Sequence, residues 1–290
     1  MNAVLIIGCG DIGRRLASLC RPAPVTGVVR SPESGARLTT GNITPRVLDL
    51  DAPFGAEALP AFGSQLYYLA PPPPHGDSDP RVAAVSGVLR GQNRPQKLVY
   101  LSTTAVYGDC GGRWIDETAR LVPGTARGRR RLDAERRWLR WGEEQDVPVV
   151  VLRVPGIYGP GRLPIERLKQ GLPVLAERES PFTNRIHADD LARVCLAAMQ
   201  QGRAGEAYNV ADGHPTTMTD YFNQIADRLG LPRPPVVDRQ TAEQVLSPSM
   251  LSFLSESKRL LNRKMLDELG VRLRYPDLDH GLAALLETGA

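Results

Sequence analysis

Paired cysteines and histidines are missing from this chain. Cys9, Cys20, Cys110 and Cys195 have neither the close spacing of a metal site nor that of a disulfide framework, and the four histidines are just as scattered, so no metal is expected. Long apolar runs are missing too. No stretch approaches the roughly 18–20 apolar residues that span a bilayer. The N-terminal apolar run is too short for a signal segment and leads straight into a glycine loop. From these absences a cytoplasmic location and no membrane partner are expected. Lysine is scarce: Lys97, Lys169, Lys258 and Lys264 are the only four, so nearly all the cations behind the net charge of +4 are arginine. The densest run, Arg127 to Arg140, is interrupted by Asp133 and Glu135 and carries Leu132, Trp138 and Leu139 on one side, which reads as a helix with a solvated basic face. No aromatics interleave with the charge, so a nucleic-acid partner is not expected.

The chain is otherwise rich enough in apolar residues, 42% of 290, to bury a large core as one two-lobed unit. Ala3-Val4-Leu5-Ile6-Ile7 reads as a buried parallel strand, and Leu16, Ala17 and Leu19 recur at helical spacing. Between them lies Gly8-Cys9-Gly10-Asp11-Ile12-Gly13, a G-x-G-x-x-G turn. Its first glycine permits the tight turn, its second lets a pyrophosphate approach, and its third lets helix pack on strand. The helix start then offers unpaired N–H groups to phosphate. A second strand, Val25–Val29, ends at Arg30-Ser31, about 20 residues past the glycines, where an NAD site usually presents a carboxylate to the ribose. A guanidinium there suits a 2′-phosphate and favours NADP(H) over NAD(H); otherwise Arg30 is a solvated side chain at a strand end.

Further strands are expected at Val47–Leu50, Gln65–Ala70, Lys97–Ser102 and Pro148–Arg153, alternating with helical segments. This predicts an α/β fold, a Rossmann-type doubly wound parallel sheet, over residues 1–155, with a smaller C-terminal substrate lobe over 156–290. About 184–212 should return to the sheet, through an Asp189-Asp190-capped helix ended by Gly202 and a strand near 206–210. Pro71 to Pro74 read as a rigid loop at a strand's C-terminal edge, which either borders the cofactor, since this architecture binds ligands there, or serves as a spacer. The same edge makes Asp49, Leu50, Leu69, Ala70, Ser102 and Pro155 expected cofactor neighbours, beside the glycine loop, Arg30 and Ser31.

Several segments in order carry a family resemblance. LSTTAVYGD (101–109), LRVPGIYGPG (152–161), RIHADDLA (185–192) and the tail from Lys258 to Gly270 resemble the extended short-chain dehydrogenase/reductase superfamily, the group of NAD-dependent epimerases and dehydratases. The resemblance implies a nicotinamide cofactor, an oxidoreductase or epimerase activity, and a catalytic Ser/Thr at Thr103. It also implies a Tyr-x-x-x-Lys pair. Counted back from Ala134-Glu135, those two positions fall on Arg127 and Arg131, and no tyrosine of the sequence has a lysine four residues later. The loop spacing departs from the extended pattern as well, and resembles that of the atypical branch that includes the bacterial YeeZ-like proteins.

Arginine cannot cycle as acid and base, but Arg127 can stabilise charge on oxygen and Arg131 can donate to ribose hydroxyls. Thr103 positions a carbonyl or satisfies a strand end. Tyr107 is a substitute acid or, as in the family, a structural tyrosine at the mouth of the site. His187 reads as a packing residue. The family's R-D-F-x-H is Thr183-Asn184-Arg185-Ile186-His187 here, and its substrate-side Asn is Gly156, so a nucleotide sugar is disfavoured. A small anionic substrate would suit Arg127, Arg129 and Arg162. The expected function is an NAD(P)-dependent oxidoreductase or epimerase-like enzyme with a nonstandard active site, monomeric or homodimeric. A catalytically silent NADP(H)-binding sensor is the alternative.

Overall fold

The computed structural model of the chain describes residues 2–38 and 41–287. Seven parallel strands form one sheet: β1 (Val4–Ile7), β2 (Val25–Val29), β3 (Ile43–Val47), β4 (Gln65–Tyr68), β5 (Lys97–Thr103), β6 (Val149–Val154) and β7 (Ala207–Asn209). Their order across the sheet is β7-β6-β5-β4-β1-β2-β3. Strand β1 shows why both faces are covered. Its alternate residues enter two separate cores, Val4 and Ile6 on one side and Leu5 and Ile7 on the other.

Helix α1 (Asp11–Leu19) covers the first face. Helices α2 (Pro80–Val88) and α3 (Ala126–Gln145) cover the second, and α4 (Ala188–Gln201) lies beside α1. The chain leaves β1 for one face and β4 for the other, so the switch point lies between these neighbours, where a doubly wound sheet opens a crevice. A third core gathers Tyr158 and Leu168 with residues of α5 (Met218–Arg228) and α6 (Leu278–Glu287). It stands beyond the C-terminal edge of β6 and forms the far side of the cleft described below.

Three expectations about elements change. The third strand is Ile43–Val47, not Val47–Leu50. It is the sheet's edge strand, so Pro45, lacking an N–H, is tolerated, and only its inner register pairs with Val25 to Val29. Leu48 and Leu50 still pack on the core, but from the turn that follows. The fourth helix is capped by His187, whose Nδ1 accepts the Asp189 N–H at 3.2 Å, rather than by Asp189-Asp190. Asp190 instead accepts the backbone N–H groups of Arg274 and Tyr275, both at 2.8 Å, and so pins the C-terminal segment to α4. Finally, the basic helix is not solvated along all its arginines. Arg129, Arg136, Arg137 and Arg140 face outward, whereas Arg127, Arg130 and Arg131 turn into the protein.

Candidate functional site

The glycine loop has the shape its spacing implies. Gly8 has a φ of +85°, and a Cβ there would stand 2.5 Å from the Ala70 nitrogen, so only glycine permits β1 to leave the sheet this close to β4. Nothing lies within 4 Å of a Cβ built on Gly10, the N-cap of α1, and no side chain caps that helix. Open space before uncapped first-turn N–H groups fits a pyrophosphate. Cys9 contributes backbone alone: its thiol is buried and pushed up to about 11 by that burial. Asp11 stands at the helix start, bonded to Arg162 Nε at 2.7 Å and to Arg15 Nε at 3.0 Å. Burial opposes its ionisation, yet these two arginines hold its carboxyl below the ordinary value.

Beside Gly8 lies a slot of about 180 Å³ lined by Val29, Arg30, Asp49, Leu50 and Ala70 among others. Its size and apolar walls suit an adenine ring. Arg30 is largely exposed, with Asp49 at 3.6 Å and Asp51 at 3.7 Å, both beyond hydrogen-bond distance. Asp51 is held more tightly by Arg81, whose Nε donates to it at 2.6 Å and whose Nη1 donates to the Pro71 carbonyl at 2.8 Å. The proline loop is thereby fastened to the rim of the slot. Ser31 caps the short helix Pro32–Ala36.

At the other end of the crevice, Arg131 Nη1 donates to the Leu101 carbonyl at 2.9 Å, the Tyr100 hydroxyl at 3.2 Å and the Ala70 carbonyl at 3.4 Å. It joins the ends of β4 and β5, and this one nitrogen makes all three bonds. Leu69 is packed beneath, in the first core. The Ser102 hydroxyl is turned inward onto Glu135. Glu135 in turn pairs with buried Arg153 at 3.0 Å. Tyr107 belongs to the same buried network and not to the mouth of the site. Its hydroxyl donates to Asn209 Oδ1 at 2.7 Å and accepts from Arg153 at 3.0 Å, and burial pushes it up to about 12. The hydroxyl is thereby occupied both as donor and as acceptor within that network.

Thr103, Arg127, Pro155 and Arg162 come together in a cleft of about 600 Å³ at the C-terminal ends of β5 and β6. Thr103 also caps the turn that follows it, accepting the Ala105 N–H at 3.4 Å. Gly128 seats α3 directly on that turn, since a Cβ there would meet the Ala105 carbonyl at 2.6 Å, and this contact delivers Arg127 to the cleft. Arg129 does not reach it; exposed, it pairs with Asp77 at 2.9 Å. His187 is a packing residue, buried between Tyr158 and Tyr275. Sequence reasoning missed the opposite wall: Arg185, Tyr221, Phe253, Glu256 and Lys258. The signal for Arg185 was its place where the family has an aromatic residue. Lys258 opens the family-like tail, and Tyr221, Phe253 and Glu256 lie in segments without a motif.

Residues 83–211 match the model of the NAD dependent epimerase/dehydratase family. Among curated proteins, Protein YeeZ of Escherichia coli is 28% identical over 186 residues, a match that spans 64% of this chain and 61% of that protein. A functionally unknown conserved protein from Silicibacter pomeroyi is 33% identical, with a TM-score of 0.85 over 100% of this chain and 99% of that one. A dTDP-glucose 4,6-dehydratase from Bacillus anthracis, solved in complex with NAD, shares the fold at 17% identity, with a TM-score of 0.77 over 99% and 96% of the two chains.

Proposed function

This chain belongs to the extended short-chain dehydrogenase/reductase superfamily, and from that premise we propose that it is an NAD(P)-binding oxidoreductase or epimerase-like enzyme whose Tyr-x-x-x-Lys pair is replaced by Arg127 and Arg131. The observation that carries the proposal is the joint placement of Arg127 and Thr103 in one cleft at the strand edge that the glycine loop also serves. Gly8 to Gly13, the Asp49–Leu50 slot, Pro155 and Arg131 would hold the dinucleotide, whose nicotinamide supplies the hydride donor or acceptor. Thr103 would orient the substrate oxygen, and Arg127 would stabilise negative charge on it without moving a proton. The substrate is small and anionic, because the lining carries four cations, Arg127, Arg162, Arg185 and Lys258, against one carboxylate, Glu256.

NADP(H) is the preferred cofactor, since Arg30 is exposed and its ion pairs with Asp49 and Asp51 are loose, at 3.6 and 3.7 Å, and leave the guanidinium open to a 2′-phosphate. Fluorescence titration with NADPH and NADH tests this: NADPH should bind more tightly, and Arg30→Ala should remove most of the difference. Arg131→Ala should weaken both cofactors by about 1–3 kcal/mol, with Arg131→Lys retaining much of that. Failure to bind either dinucleotide would overturn the proposal. The placement of Tyr107 in a buried network favours a second reading, a silent NADP(H) sensor. Under that reading cofactor binds, but no carbonyl or sugar-nucleotide substrate is turned over.

A further inference from the structure

Two of the four cations on the cleft wall have no carboxylate bonded to them among the described residues, although the Glu256 charge reaches Arg127. Arg162 is paired with Asp11 and Lys258 with Glu256. Arg127 has no hydrogen bond or ion pair among the described residues: its Nε is buried without a partner, and its guanidinium lies 4.0 Å over the Phe253 ring. Arg185 is 7% exposed, donates to the neighbouring Asn184 carbonyl at 2.8 Å, and lies 3.9 Å over the Tyr221 ring. No carboxylate bonds to it. Asp212, whose charge reaches it, accepts the His214 N–H with one oxygen and leaves the other unpartnered.

Cations drawn out of water without a bonded carboxylate are costly to keep, and burial depresses the pKa of both guanidiniums. An anion that enters the cleft would relieve that cost. The rest of the wall narrows what else the ligand can be. Phe182, Met218, Phe222, Met250 and Phe253 line it with apolar surface. Two of its neutral polar groups are already engaged: Asn184 donates to the Lys258 carbonyl and accepts the Leu260 N–H, and the Thr183 hydroxyl donates to the Thr216 carbonyl. Sugar hydroxyls would find few partners there.

Resting on the reading that this cleft takes the substrate, we infer that the substrate is a small organic acid with an apolar body, its acid group neutralising Arg127 and Arg185, and not a nucleotide sugar. The aromatic and methionine side chains enclose the body, and the two guanidiniums select the charge.

Calorimetric titration of the full chain with hexanoate, 3-phenylpropanoate and phenylsuccinate tests this against 3-phenylpropanamide and UDP-glucose. At least one of the acids should bind, the neutral amide about tenfold more weakly than its acid, and UDP-glucose more weakly than the best acid. Arg127→Gln and Arg185→Gln should each cost that acid about tenfold. Without ligand, Arg127→Met should raise the melting temperature by roughly 1–3 °C, because it removes a half-buried cation with no bonded carboxylate, and the acid should then no longer stabilise the protein. Tighter binding of UDP-glucose, equal binding of acid and amide, or a melting temperature lowered by Arg127→Met would overturn the inference. Parallel NADPH titration keeps the two questions apart, because loss of dinucleotide binding defeats the proposed function whether or not an acid binds.

Discussion

At Asp212 the fold buries a carboxylate with one oxygen unbonded, and burial lifts its pKa to about 7 against an ordinary value of 3.8. The folded-state value lies above the unfolded one. The protonated form is therefore favoured by folding, its contribution is complete below about pH 4, and it is lost as pH rises through about 7. Asp212→Asn should flatten stability over that window and make the protein more stable than wild type by about 2–4 kcal/mol at pH 8, as read by urea unfolding at several pH values. An unchanged pH profile would mean that Asp212 is solvated. Individual residues were unevenly legible in the sequence. Gly8, Gly10 and Gly13 were legible because the chemistry of their spacing is local. Tyr107 was not, because whether a tyrosine faces a cleft or the buried pair Arg153–Glu135 depends on partners 46 and 28 residues away along the chain.

Among the elements, buried strands were easiest to read. Strands β1, β5 and β6 are nearly continuous apolar runs, as two-sided burial requires. The edge strand β3 was displaced in the sequence reading because half-exposed Ile43–Val47 has little apolar pattern, and Leu48 and Leu50 beyond it have more. Helix α3 was recognised together with its buried side at Leu132, Trp138 and Leu139, but the inward turn of Arg130 was not. Trp138 and Trp141 fix its buried stripe against the sheet, and Arg127 and Arg131 are then carried toward the strand edge with it. The loop around Arg162 was legible as the end of the family segment 152–161 and as a candidate cation, but its partner was not. The ion pair from Arg162 to Asp11 ties this loop to the start of α1 and offsets a carboxylate placed where phosphate would approach. Arg162→Ala should therefore weaken dinucleotide binding about threefold to tenfold in a fluorescence titration, and Asp11→Asn should restore part of the loss. Equal affinity in Arg162→Ala would separate this loop from the cofactor.

For the molecule as a whole, one sheet edge collects everything the proposed chemistry needs: the open turn at Gly10, the slot at Asp49 and Leu50, Arg131 on the ends of β4 and β5, and the cleft with Thr103 and Arg127. The sheet and its crevice followed from the strand pattern. The cleft's far wall did not, since Arg185, Tyr221 and Phe253 reach it from three separate segments that only tertiary packing assembles. The central claim is that arginines occupy the positions of the missing tyrosine and lysine around a nicotinamide. A crystal structure of the chain with bound NADP⁺ tests it most directly. The account predicts the Arg131 guanidinium within hydrogen-bond distance of the nicotinamide ribose, Thr103 and Arg127 facing the nicotinamide, and Tyr107 still bonded to Asn209. A tyrosine hydroxyl standing over the nicotinamide C4, or Arg131 turned away from the ribose, would contradict it.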